Sequence, residues 1–389
     1  MGIVIAILLF SGIVIFHELG HFLLAKANKI HVDEFSLGLG PTLFGKVIGG
    51  TKFSLKLLPF GGACMMGEDE AEETPAPLPM ESHLHSSDAQ GAYGMEGSAS
   101  DFGGEAISRT SADGAAAKPD EGSFNSKSVW ARISVIAAGP IFNLILAWIF
   151  CVILVAWVGY RAPVIGEVSD GYSAKEQGIR AGDTITGING KRIHLWNEIT
   201  LANLMNSEGG EMEITYLRDG KETTVVLEPR ALEGDMNKWL GITSTAESVR
   251  PGFLGSLQYG AYTVRYWIHY TIDCLKMLIG GKVGIQDMSG PVGIVDAVDE
   301  TYQSSRSAGM KILILNLLDF AILLTANLGI MNLLPIPALD GGRLVFLFVE
   351  AVRGKRVPPE KEGMVHFAGL AVLMVLMVVV MYNDIVKLL

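Results

Sequence analysis

The sequence predicts a mainly α membrane protein: about four transmembrane helices, a membrane-associated β-hairpin and one small extracytoplasmic α+β domain. Three observations lead there. Hydrophobic residues make up 49% of the 389, yet the net charge is −11, so apolar and acidic material must lie in different segments. Four stretches, 2–24 and roughly 129–158, 312–334 and 365–382, supply the run of about 20 apolar residues that crosses ~30 Å of hydrocarbon. Between the second and third lie short β-like runs, 164–168, 184–188, 213–217 and 223–227. Asn189-Gly190 and Asp219-Gly220 mark turns among them, and a helical stretch runs from Trp196 to Met205.

The first span carries the chemistry. Phe16-His17-Glu18-Leu19-Gly20-His21 lies inside it. On a helix His17 and His21 stand one turn apart on one face, the spacing at which two imidazoles bind one zinc ion, with Glu18 placed to act on a metal-activated water. In a soluble helix two buried histidines satisfied by carbonyls would be a serious alternative. Within a bilayer three ionisable residues in one turn are costly without a metal, which favours the site. No basic segment precedes the apolar run, so it reads as a retained helix rather than a secretion signal.

The first loop divides in two. Residues 31–62 alternate and are rich in glycine and β-formers, a hairpin apolar enough to dip into the bilayer if protein or water surrounds its backbone. Residues 67–127 are Gly, Ala, Ser, Pro, Asp and Glu with almost no large aliphatics, which predicts disorder, with His83 and His85 as solvated residues rather than ligands. A fifth apolar stretch, 259–279, carries Arg265, His269, Asp273 and Lys276 and reads as an amphipathic helix at the membrane surface. The expected units are therefore 1–66, 67–127, 128–160, 161–245, 246–311 and 312–389.

Zinc catalysis takes three protein ligands and leaves one position open. The candidate third ligand is Asp340, in Asn332-Leu333-Leu334-Pro335-Ile336-Pro337-Ala338-Leu339-Asp340-Gly341-Gly342. Pro335 and Pro337 break the third helix and let Asp340 turn inward, and the Asn332 amide could bind substrate backbone or an oxyanion. Alone, Asp340 could equally be a helix-terminal residue at the cytoplasmic surface. Cys64, Cys151 and Cys274 lie far apart and suggest neither disulfides nor a thiolate site. The acidic balance excludes a nucleic-acid partner, which would need clustered Lys and Arg.

Two resemblances follow from these residues. Ser173 to Ile185, followed by Ile188-Asn189-Gly190, resembles a PDZ domain of the circularly permuted bacterial type, which implies a peptide or protein ligand bound by strand addition. The H-E-x-x-H helix, the L-D-G-G segment and a PDZ-like unit between them resemble the site-2 protease family of intramembrane zinc metalloproteases. The nearest group in it regulates bacterial sigma-factor stress responses. Supporting matches are Glu34-Phe35-Ser36 with Gly38, Gly40 and Pro41, Leu58 to Gly62, Ala138-Gly139-Pro140 with Asn143, and Ser289 to Ile294. The resemblance implies Zn2+ on His17, His21 and Asp340, and Glu18 as general base and acid. It also implies a re-entrant hairpin whose Gly38, Gly40, Phe60 and Gly61, with Asn332, Pro335 and Pro337, bind a single-span membrane substrate.

Arg343, Arg353, Lys355, Arg356 and Lys361 lie in the short connection before the last span. The positive-inside rule puts that loop in the cytoplasm and both termini outside the bacterial inner membrane. Two rivals to the protease remain: a non-catalytic membrane-tethered PDZ receptor and a metal-ion transporter. The intact ligand set argues against the first, and the absence of an inverted repeat of spans against the second.

Overall fold

The computed structural model describes residues 2–67, 122–206, 208–231 and 238–388. Four of its helices are long and apolar enough to cross a membrane: α1 (Gly2–Ala27), α2 (Val129–Val158), α7 (Met310–Leu333) and α9, whose membrane-length stretch is Pro359–Lys387. Their outward faces are apolar, as lipid-facing surfaces require. The bundle centres on α2, which packs against α1, α7 and α5 (Phe253–Ile279). A core of Ala147, Cys151, Val264, Ile322 and Ala326 joins α2, α5 and α7.

Polar contacts tie the elements together at two ends of the bundle. At one end the Gly2 N–H donates to Asp299 of α6 (Pro291–Arg306), and the N–H groups of Gly290 and Gly293 donate to Asp384 of α9 at 2.9 and 2.8 Å. At the other end Arg132 of α2 pairs with Glu350 of α8 (Asp340–Arg353), and Arg356 reaches Asn125. Arg132 is 4% exposed. Arg132→Ala would strand Glu350 in a largely buried site, and we expect a loss of about 3–5 kcal/mol, read as a lowered unfolding midpoint in detergent.

Between α1 and α2 lie β1 (Val32–Ile48) and β2 (Thr51–Met66), an antiparallel hairpin whose strands bend. Glu34 to Leu37 consequently pair with 52–55 on one side and with 62–65 on the other. The bend needs backbone that L side chains rarely adopt. Gly38 has φ +87°, and a Cβ there would lie 2.3 Å from the Leu58 carbonyl oxygen. Leu43, Phe44, Val47 and Ile48 leave the hairpin tip apolar and exposed.

Most of the segment expected to be disordered, including His83 and His85, lies outside the described residues. Its end does not: residues 122–127 are ordered. The Phe124 N–H donates to the Gly67 carbonyl and the His31 N–H to that of Gly122. Phe124 is buried with Val32, Val135 and Leu344, so one aromatic in a polar run suffices to fasten it.

The unit after α2 has two sheets. β3 (Ile165–Val168) pairs with β8 (Ile242–Ser244), and β4 (Thr184–Ile188), β5 (Lys191–Arg192), β6 (Met212–Arg218) and β7 (Lys221–Leu227) run in the order β5-β4-β6-β7. Helices α3 (Ser173–Glu176) and α4 (Trp196–Met205) close a core that includes Ile165, Ile185, Ile214 and Leu227. Between β8 and α4 runs a cleft of about 380 Å³ lined by Tyr172, Trp196, Ile199, Leu240 and Ile242. The stretch expected to form a surface helix becomes α5, which buries Gly260, Val264 and Thr271 against the bundle. Its Arg265 pairs with Glu198 of α4 at 2.7 Å.

Asp183 in this unit is 2% exposed. Burial alone would raise its carboxyl, but the Arg218 guanidinium, bonding at 2.6 Å, and the Arg180 N–H at 2.8 Å hold it below the ordinary carboxylate range. A depressed carboxylate contributes stability that is complete above its unfolded pKa of about 3.9 and vanishes as pH falls through the folded value. The unit should therefore lose stability below about pH 4. Asp183→Asn should flatten that slope in hydrogen exchange of residues 165–244.

Candidate metal centre

The site is built on α1 and α2, which approach closely because small residues face each other. A Cβ on Gly20 would lie 2.5 Å from the Ala138 carbonyl oxygen. His17 and His21, both 6% exposed, turn their Nε2 atoms to within 3.2 Å of each other. From across the bundle Asp340, at the first turn of α8, brings Oδ2 to 3.1 Å from His17 Nε2 and 3.4 Å from His21 Nε2. The Leu334 to Leu339 turn makes this possible, since Pro335 and Pro337 end α7 and α8 restarts at Asp340.

Hydrogen bonds behind the rings orient both histidines. His21 Nδ1 lies 2.9 Å from the Val135 carbonyl, which can only accept, so Nδ1 carries a proton and, in the neutral ring, Nε2 keeps the lone pair. His17 Nδ1 lies 3.2 Å from the terminal amide of Asn143. The atom in contact is the amide nitrogen, and the buried Oδ1 beside it is unpartnered; turning the amide over would let Oδ1 accept from His17 Nδ1–H. Two imidazole Nε2 atoms and a carboxylate oxygen thus converge on one point, a donor set suited to a metal cation.

The distances suit zinc. At Zn–N and Zn–O lengths of ~2.0–2.1 Å a tetrahedral face has edges of about 3.3–3.4 Å, against 3.1, 3.2 and 3.4 Å here. Among the described residues no other such trio of potential ligands occurs. The carbonyl and amide behind the histidines stand where the outer partners of metal-binding imidazoles usually stand.

Glu18 touches the hairpin. Its Oε2 accepts the Cys64 N–H of β2 at 3.0 Å, so β2 passes beside the carboxylate. Of the other sequence-predicted site residues, Asn332 ends α7 half-buried and Pro335 and Pro337 form the turn before Asp340. Gly38, Gly40 and Gly61 all have positive φ, which gives them a conformational role in the bent hairpin. Of Phe60 only the backbone, in β2, is described.

Sequence reading missed the function of Asn143, singled out only as part of a supporting pattern, and missed His366 altogether. Gly139 was likewise seen without its reason. A Cβ there would lie 2.3 Å from His21 Nε2 and 2.8 Å from His17 Cε1, so α2 must present bare backbone to the imidazoles.

The chain matches Peptidase family M50 over residues 5–376. It is 37% identical to the regulator of sigma-W protease RasP of Bacillus subtilis, covering 98% of this chain and 97% of that one. To the zinc metalloprotease RasP of Bacillus licheniformis it is 36% identical over the full length of both. A crystal structure of the PDZ domain of an SdrC-like protein from Listeria monocytogenes is 24% identical, with a TM-score of 0.21, covering 23% of this chain and 92% of that one. The PDZ reading accordingly rests on the unit's own sheets and cleft. An M50 match over nearly the whole chain, full-length zinc metalloprotease relatives and a zinc-shaped trio between membrane-length helices lead to one conclusion: the chain belongs to peptidase family M50 and is an intramembrane zinc metalloprotease.

Proposed function

We propose that His17, His21 and Asp340 hold the zinc and that Glu18 serves as general base and then general acid on a peptide bond of a transmembrane substrate. The observation that carries this is the convergence of two imidazole Nε2 atoms and a carboxylate oxygen at tetrahedral spacing. Zinc bound there supplies Lewis acidity, acidifying a water and polarising the scissile carbonyl. Glu18 takes the proton of the attacking water and returns it to the departing amide nitrogen. Its contact with β2 places it beside an extended backbone.

A helical peptide bond is shielded by its own hydrogen bonds, so a substrate span must unwind first. Pairing with the edge of the bent hairpin would replace those bonds, and the apolar exposed tip suits a hairpin that dips into the bilayer. The substrate class is a single-span membrane protein, and the name of the Bacillus subtilis relative points to a membrane-held regulator of a sigma factor. The cleft between β8 and α4 suits an extended peptide added to β8. The end of the bundle bearing Arg132, Arg343, Arg353, Lys355 and Arg356 is cytoplasmic. Both termini and the PDZ-like unit then lie outside.

The test is to reconstitute the full chain with a single-span substrate in liposomes and map the new termini by mass spectrometry. Cuts inside the apolar span that cease on zinc chelation and resume on zinc addition are expected. Cleavage confined to residues outside the span would overturn the intramembrane reading.

A further inference from the structure

We propose that His366 of α9 is a positioning residue for the metal centre: its Nδ1 holds the Ala338 amide, and through it the turn that delivers Asp340 to the two histidines. Ala338 has φ +73°. Among the described residues the other non-glycine positions with positive φ are Lys29, Asn189 and Asp219. Asn and Asp tolerate this region through local hydrogen bonds, and alanine has no such means. A strained conformation two residues from a ligand persists only where its surroundings hold it.

The holding contact is specific. The Ala338 N–H donates to His366 Nδ1 at 2.9 Å. A backbone N–H can bond Nδ1 only at its lone pair, so the ring proton sits on Nε2, on the side of Glu362, 3.9 Å away. The ring is packed as well. Phe346 of α8 lies against it with centroids 5.6 Å apart, and α9 presses onto the same turn at Gly369, where a Cβ would come within 2.3 Å of Pro337 Cβ. The fourth membrane-length helix thus braces the turn ahead of Asp340.

This inference rests on Asp340 being a zinc ligand, and the experiment separates the two ideas. Zinc affinity is measured by chelator competition on the detergent-purified full chain for wild type, His366→Ala, His366→Asn, His366→Gln and Asp340→Asn, with thermal unfolding of the metal-free forms. His366→Ala should weaken zinc binding about 10–100-fold at an unchanged metal-free unfolding midpoint. Asn places a side-chain oxygen where Nδ1 stood and should restore most of the affinity, whereas Gln, whose amide reaches the Nε2 position, should not. If His366→Ala does not fold, the Asn against Gln contrast still decides. Wild-type affinity in His366→Ala with loss in Asp340→Asn would overturn the positioning role alone, as would Asn binding no better than Gln. Wild-type affinity in Asp340→Asn would overturn the ligand assignment and this inference with it.

Discussion

Glu18→Gln should abolish proteolysis while leaving zinc in place. The glutamine keeps a side-chain oxygen to accept the Cys64 N–H that Glu18 accepts at 3.0 Å, so the junction of α1 with β2 survives. It has no lone pair basic enough to take a proton from water at neutral pH. Loss of a positioned general base costs about 10²–10⁴-fold, and a group acting first as base and then as acid should lie at the upper end. Because Glu18 is not among the three residues that converge, zinc content should stay at one per chain. Measured side by side, single-turnover cleavage and metal content separate a catalytic from a structural role, and loss of both together would mean that Glu18 supports the fold of the site.

Gly139→Ala should do the reverse and remove the metal. The added methyl would overlap His21 Nε2 and Cε1 at 2.3 and 2.6 Å and His17 Cε1 at 2.8 Å. Neither ring can swing aside cheaply. His21 is tied to the Val135 carbonyl and His17 to Asn143, and retreat would break those bonds as well as the Nε2 geometry. Displacing two ligands should lower zinc affinity beyond the ~10–100-fold that loss of an outer partner costs. Cleavage should vanish with the metal. Unaltered zinc affinity in this variant would show that the helices can part, against the close packing of α1 on α2.

Both variants address residues that the sequence exposes to different degrees. The histidine pair and Glu18 are legible because their spacing matches one helical turn and because polarity in an apolar run needs a reason. Asp340 is legible as a candidate because two prolines break the helix just ahead of it. What holds these groups is not legible, because it lies between distant segments. Asn143 is 126 residues from the histidine it orients, and His366 is a single imidazole in an apolar run, 28 residues from the amide it accepts.

The fold divides in the same way. Four spans follow from length and hydropathy, and the small α+β unit follows from alternation and turn dipeptides. Helix α8 was read only as a charged connection, although Leu344 and Leu347, three apart and buried together, carry the period of an amphipathic helix. In α5, Arg265, His269 and Asp273 recur every four residues on one stripe and all line a cleft of about 580 Å³ shared with the α+β unit. That stripe marks a helix with a polar partner as well as an apolar one, which composition alone does not distinguish from a helix resting on lipid.

X-ray absorption at the zinc edge, on the purified full chain and on Asp340→Ala, tests the metal centre most directly. The geometry predicts one zinc per chain with about four nitrogen and oxygen neighbours at ~2.0–2.1 Å, imidazole scattering from two histidines, and loss of the bound metal in the variant. A sulfur neighbour at about 2.3 Å, which would bring in Cys64, or an unchanged spectrum in Asp340→Ala would contradict it.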